Sequence, residues 1–152
     1  MNSEVGIRKS EFGMTDALDG KDRSYPLPAI ESSFVGEASS NPVREKSFRF
    51  ALMVVSLCRE LQAGREYVIS KQLMKSGTSI GANIEEAVSA ESRKDFLHKM
   101  NLALKEARES HYWLRILDAS EIETKQNMRE HLAIADELVR LLVSITRKIS
   151  RT

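Results

Sequence analysis

The sequence predicts an all-α protein, an antiparallel up-down-up-down four-helix bundle behind a disordered N-terminal leader. Three observations predict it. From Arg44 onward the apolar residues recur with helical period in four successive blocks. Short segments with helix-ending or helix-starting residues separate the blocks, so successive helices must reverse direction. Glycine (7), proline (3) and aromatic residues (6%) are scarce, which disfavours an all-β fold. A chain of 152 residues, 41% of them hydrophobic, is enough for one core.

Residues 1–43 differ in kind from the rest. They hold all three prolines (Pro26, Pro28, Pro42) and four of the seven glycines, and their apolar residues have no period. Such a segment buries too little to offset its ordering entropy, so it reads as a disordered leader or tether. Tyr25-Pro26-Leu27-Pro28 is its one extended-looking stretch. Its seven acidic residues outnumber its four basic ones, although the whole chain carries +1. The bundle, residues 44–152, is left with 19 Lys and Arg against 15 Asp and Glu, hence +4, a mild basic bias.

The first helix is expected over about 45–63. Phe50, Val54, Leu57, Cys58 and Leu61 fall on one face, and Gly64 ends it. The second, about 70–89, takes Ser70 as its N-cap and turns Leu73, Ser76, Ile80, Ile84 and Ala87 inward. The third, about 93–118, opens on Ser92 with Asp95 three residues on, a pattern resembling a capping box. Its core face is Phe96, Met100, Ala103, Ala107 and Leu114. The same signature in Ser120 and Glu123 places the start of the fourth helix at 121, and its period runs to Ile149.

Within the second helix, Ser76-Gly77-Thr78-Ser79-Ile80-Gly81-Ala82-Asn83 has loop-like composition, since each glycine costs a helix about 1 kcal/mol. A phosphate-cradling loop is one reading, but no strand precedes the segment and no Gly-Lys-Ser/Thr follows. Gly77 and Gly81 lie one turn apart, which suits close helix packing, and that is the reading adopted.

Surplus apolar surface is the next signal. Leu102, Trp113 and Ile116 lie away from the third helix's core face, and Leu117 bridges toward the interior. The fourth helix is apolar around half its circumference or more, through Leu132, Ile134, Leu138, Val139, Leu141, Leu142, Val143 and Ile145. A bundle helix needs a stripe only a little over about 100° wide. Leu102, Trp113, Ile116 and Leu141 are therefore expected to form an interface between copies of the chain.

Residues that could carry chemistry are few. Cys58 is the only cysteine, which excludes an internal disulfide, and it reads as a small buried hydrophobe in a reducing compartment. His98, His111 and His131 do not build a di-iron set, which would need two Glu-x-x-His elements; the nearest is one Asp95-x-x-His98. Glu85 with Glu86, and Glu106 with Glu109, have exposed-face spacings, and no triad is suggested. No metal, no cofactor and no enzymatic activity are expected. No signal segment or membrane span is apparent, the run Phe50–Cys58 being about half a bilayer span, so the expected location is cytoplasmic.

The feature with most shape is on the third helix. Lys94, His98, Asn101, Lys105, Arg108, Tyr112 and Arg115 follow one another at steps of three and four along an outward stripe. A cationic, amide-bearing stripe with an aromatic can grip phosphates and stack a base. Glu91, Asp95, Glu106 and Glu109 lie on the adjacent stripe and would blunt it, so a simply solvated face is an equal reading. Arg140, Arg147, Lys148 and Arg151 complement the last helix's dipole and could extend a basic rim.

The stretch Gln72 to Ala87, with Lys94-Asp95-Phe96, Leu104-Lys105-Glu106-Ala107-Arg108-Glu109 and Tyr112-Trp113-Leu114, resembles the signature of the four-helix-bundle proteins named after 23S rRNA intervening sequences. The resemblance covers about residues 45–150. It implies an up-down bundle that assembles into a pentameric ring and has no known catalysis. Related proteins are accessory factors of diversity-generating retroelements, where a similar ring partners a reverse transcriptase and nucleic acid. The partners implied are therefore further copies of the chain, RNA or DNA, and a reverse transcriptase or other protein. A protein-interaction scaffold without nucleic-acid binding is the alternative.

Overall fold

The computed structural model describes residues 41–151, so the expected disorder of the leader falls outside the described residues except for its last three positions. Two of those, Pro42 and Val43, already belong to a helix. The four helices are α1 Pro42–Ala63, α2 Val68–Val88, α3 Arg93–Ala119 and α4 Met128–Arg151, and among the described residues there is no strand.

Contacts between helices fix their directions. Arg44 at the start of α1 pairs with Glu85 at the end of α2, while Cys58 Sγ near the end of α1 donates to the Ser70 carbonyl early in α2. Between α2 and α3 the pairs Glu86–Lys99 and Ser76–Ser110 run the same way. Arg93 at the start of α3 donates to the Ile149 carbonyl at the end of α4. Lys46 pairs with Glu137, and Gln126, just before α4, reaches Ser56 in α1. Every neighbouring pair is antiparallel, so the path is up-down-up-down and α1 stands diagonally opposite α3.

Local chemistry explains each boundary. Pro42 sits in the first turn of α1, where its missing N–H costs nothing. Asn41 Oδ1 faces the Arg44 amide at 3.5 Å. At the other end Gly64 is the C-cap, and Arg65 takes the left-handed conformation (φ 66°). There the Glu66 amide reaches the Leu61 carbonyl (2.8 Å) and the Arg65 amide that of Gln62 (3.0 Å), a Schellman closure. Ser92 caps α3 by accepting from the Asp95 amide at 3.1 Å.

Two expected starts are corrected. Ser70 does not cap α2, because the helix begins two residues earlier and Ser70 is fully buried inside it. The Glu66 carboxylate does the capping, accepting from the Ile69 amide at 2.7 Å. The Ser120–Glu123 pattern does not open α4: Ser120 is the C-cap of α3. The segment that follows offers only Ile122 to the core, too little to hold a helix there. Asn127 Oδ1 accepts from the Glu130 amide at 3.2 Å, and α4 starts at Met128.

The core takes Phe50, Val54, Leu57, Cys58 and Leu61 from α1, and the expected inner faces of α2 and α3. The loop-like stretch of α2 is helical throughout. Its polar side chains bond back along the helix, Thr78 to the Met74 carbonyl, Ser79 to that of Lys75 and Asn83 to that of Ser79. Gly77 faces Val54 so closely that a Cβ there would lie 2.8 Å from Val54 Cγ1. At Gly81 a Cβ would meet Ser47 Oγ at 3.5 Å, an ordinary contact. Of the two glycines, Gly77 is the one pressed against α1. His131 is buried beneath α1, with Nδ1 2.8 Å from the Asn127 carbonyl and Nε2 3.4 Å from that of Met53.

Candidate nucleic-acid interface

α3 carries the candidate site because its core stripe fixes which side faces out. Phe96, Met100, Ala103, Ala107, Leu114 and Leu117 are buried, and this orients the other residues. Lys94, His98, Asn101, Lys105, Arg108, Tyr112 and Arg115 are all exposed and form one stripe. At 1.5 Å per residue it is about 30 Å long. The heptad spacing drifts about 20° per repeat on a straight helix, so the stripe slants around α3.

Several cations outside this stripe are held in ion pairs. Arg44–Glu85 (2.8 Å), Lys46–Glu137 (2.9 Å), Arg49–Glu130 (2.9 Å) and Lys99–Glu86 tie cations to neighbouring helices, and Arg140–Asp136 (3.0 Å) ties one within α4. Among the described residues Lys94, Lys105, Arg108 and Arg115 form no such pair. Of the acids expected to blunt the stripe, Glu109 bonds to Trp113 and Glu106 feels the charge of Lys105 within the stripe. Glu109 accepts from Trp113 Nε1 at 3.2 Å. Burial, then the charge of Glu109, raises the Glu106 carboxyl above its ordinary pKa, and Lys75 and Lys105 pull it back.

Tyr112 is 54% exposed and meets Trp113 edge-on, with ring centroids 5.3 Å apart. With Arg115, Ile116, Asp118 and Ala119 it borders a shallow open hollow. The other end of the stripe reaches α4. The Arg93–Ile149 hydrogen bond sets the start of α3 against the end of α4, beside Arg147, Lys148 and Arg151. These three, with Arg140, Val139, Val143 and Ser144, border an open depression.

The remaining candidates are placed as follows. Leu102, Trp113, Ile116 and Leu141 are half-buried, and Trp113 and Leu141 pack against the bundle's own core. So do Leu132, Val139, Val143 and Ile145, and the surplus expected of α4 is largely absorbed internally. The exposed large hydrophobics are instead Phe48 (67%), Leu52 (57%), Tyr67, Val68 and Tyr112. The sequence reading missed Phe48 and Leu52, whose signal is a second apolar stripe on α1 opposite the first.

Cys58 is buried, and burial pushes its thiol up to about 11. Among the described residues no group of three or more His, Cys, Asp or Glu side chains is arranged to hold a metal ion. Nor is any helix there long and apolar enough to cross a membrane.

Fold and site together define a four-helix bundle with a cationic face on its third helix. Residues 39–144 match the model of the 23S rRNA-intervening sequence protein family, and the chain belongs to that family. It is also similar to a crystal structure from Bacteroides thetaiotaomicron VPI-5482, described as a protein of unknown function from the S23 ribosomal protein family. The two are 46% identical, the match covers 68% of this chain and 97% of that one, and the TM-score is 0.65. No curated protein matches the chain.

Proposed function

We propose that the protein is a non-enzymatic, self-associating cytoplasmic module that binds RNA or DNA as an accessory of a ribonucleoprotein, using the outward stripe of α3. One observation carries the reading: four cations, Lys94, Lys105, Arg108 and Arg115, line a single exposed stripe of α3, and none of them has an ion-pair partner among the described residues. Unpaired cations on a rigid helix lose little on meeting phosphates, and the released counterions supply affinity. Tyr112 adds a face on which a base can stack. The family's name, which refers to an rRNA insertion, makes RNA the first ligand to try. Assembly into a ring, a pentamer on the resemblance of its sequence, would multiply the stripe.

The test is fluorescence anisotropy with a labelled single-stranded RNA across a salt series. Binding should weaken linearly in log salt. Reversing Lys94, Lys105, Arg108 and Arg115 to Glu should abolish it and flatten the slope by about 3, at about 0.7 per lost phosphate contact. No binding at low salt would remove the reading.

A second reading is a scaffold that recruits a protein, such as a reverse transcriptase, without touching nucleic acid. Tyr67 and Val68 favour it, being exposed side by side where α1 turns into α2. A pull-down whose protein partners survive nuclease treatment and charge reversal on α3 would support the scaffold.

A further inference from the structure

The outward side of α1 bears a stripe that nothing in the bundle uses. Glu45, Phe48, Leu52, Val55 and Arg59 follow at steps of three, four, three and four, the spacing of a helix–helix seam. Phe48 and Leu52 are 67% and 57% exposed, Val55 is half-buried, and Glu45 and Arg59 are exposed. The core face of α1, led by Phe50, Val54 and Leu57, lies on the other side of the helix. Two neighbouring cations are already paired, Arg44 with Glu85 and Arg49 with Glu130. Glu45 and Arg59 have no ion-pair partner among the described residues.

The stripe is complementary to itself. If a second copy lays its α1 antiparallel about a two-fold axis at Leu52, five layers form. Leu52 meets its own counterpart at the centre. Phe48 meets Val55 of the other copy on either side, and at each end the Glu45 carboxylate meets the Arg59 guanidinium of the other copy. The charges stand equally far, two turns, from Leu52 on each side. A parallel pairing would instead set Glu45 against Glu45 and Arg59 against Arg59. We infer that α1 is a two-fold seam between two copies of this chain, centred on Leu52, with reciprocal Glu45–Arg59 ion pairs closing its ends.

This seam is separate from any ring contact made by Leu102, Trp113, Ile116 and Leu141, because it uses another helix. α1 and α3 occupy opposite corners, so pairing through α1 leaves both α3 stripes facing outward. The seam runs about 21 Å, a single helix pair.

The experiment is sedimentation equilibrium of the full chain over a range of concentrations, with circular dichroism to check that each variant is folded. Leu52→Asp should weaken self-association by about tenfold or more. Glu45→Arg and Arg59→Glu should each weaken it by about fivefold, and the double exchange should restore it. Leu52→Cys should give a covalent dimer under oxidation, since only a two-fold seam brings residue 52 to its own copy; Cys58 is buried and does not compete. Masses unaffected by Leu52→Asp would overturn the proposal. So would a double exchange no better than either single one, or an association lost in Leu52→Asp without a Leu52→Cys cross-link, which would assign the stripe to a head-to-tail contact. A folded chain that binds RNA but stays monomeric would overturn the seam and leave the α3 reading intact.

Discussion

Two glycines one turn apart in α2 have opposite structural weight. A methyl group at residue 77 would lie 2.8 and 2.9 Å from the two γ-carbons of Val54, a short branched side chain that cannot swing aside. Gly77→Ala should therefore destabilise the bundle by about 1–2 kcal/mol, overpacking outweighing the gain in helix propensity. At residue 81 the added methyl meets Ser47 at ordinary contact distances. Gly81→Ala should stabilise by up to about 1 kcal/mol. Urea unfolding midpoints should move in opposite directions for the two variants, and a fall in both would show that Gly81 also marks a close approach. The same spacing in the sequence made the pair look equivalent; only the position of Val54 separates them.

Helix ends and the links between helices set the next level. Ser92 and Asn127 each accept a backbone amide in the first turn of their helices. Replacing either by Ala should cost about 1 kcal/mol. Ser120→Ala should change stability little, because Ser120 ends α3 and its hydroxyl bonds locally to the Leu117 carbonyl. A loss at Ser120 equal to that at Asn127 would contradict this assignment. The α3–α4 connection is tied to α1 by the Glu60 carboxylate, which accepts the Lys125 amide. That bond, helped by Thr124 and Gln126, holds the Glu60 carboxyl below its ordinary pKa. An acid with a lowered folded pKa contributes stability above its unfolded value and loses it as pH falls through the folded one. Glu60→Gln should therefore lower the unfolding midpoint at pH 7, and the difference from the parent should disappear in acid. A gap that persists there would point to lost packing rather than lost charge.

For the whole molecule, the arrangement of charge matters more than its total. A bundle of charge +4 is only mildly basic, yet Lys94, Lys105, Arg108 and Arg115 share one exposed stripe of α3 with no ion-pair partner among the described residues. Tyr112→Ala tests whether that stripe does more than attract phosphates. It should weaken RNA binding by about tenfold while leaving the salt slope unchanged, because stacking releases no counterions. A slope altered as much as by Arg108→Ala would make Tyr112 part of the backbone contact instead. Family membership and the similarity to the Bacteroides thetaiotaomicron structure agree with the bundle and assign it no chemistry. The α1 and α3 corners stand across the bundle from one another, one apolar and one cationic. Such a division keeps the two proposals, a seam between copies on α1 and a polyanion contact on α3, on separate faces.

The sequence by itself determined the four helices, their core stripes, the Ser92 cap and the end of α1 at Gly64. Those are properties of 3.6-residue periodicity and of residues within a turn of each other, which local chemistry dictates. It also placed the α3 stripe, since a helix buried on one face must expose the opposite one. It misplaced the start of α4, because Ser120 and Glu123 satisfy the cap pattern while the residues between them and Met128 supply too little apolar surface to hold a turn. Tertiary structure alone decided which glycine is pressed against its neighbour and which cations are left without a carboxylate. It likewise decided whether a wide apolar face is surplus. The breadth of α4 is used in packing against the core, while Phe48 and Leu52 on α1 stay exposed. Those outcomes depend on which helix lies across from which, and no single helix's period contains that.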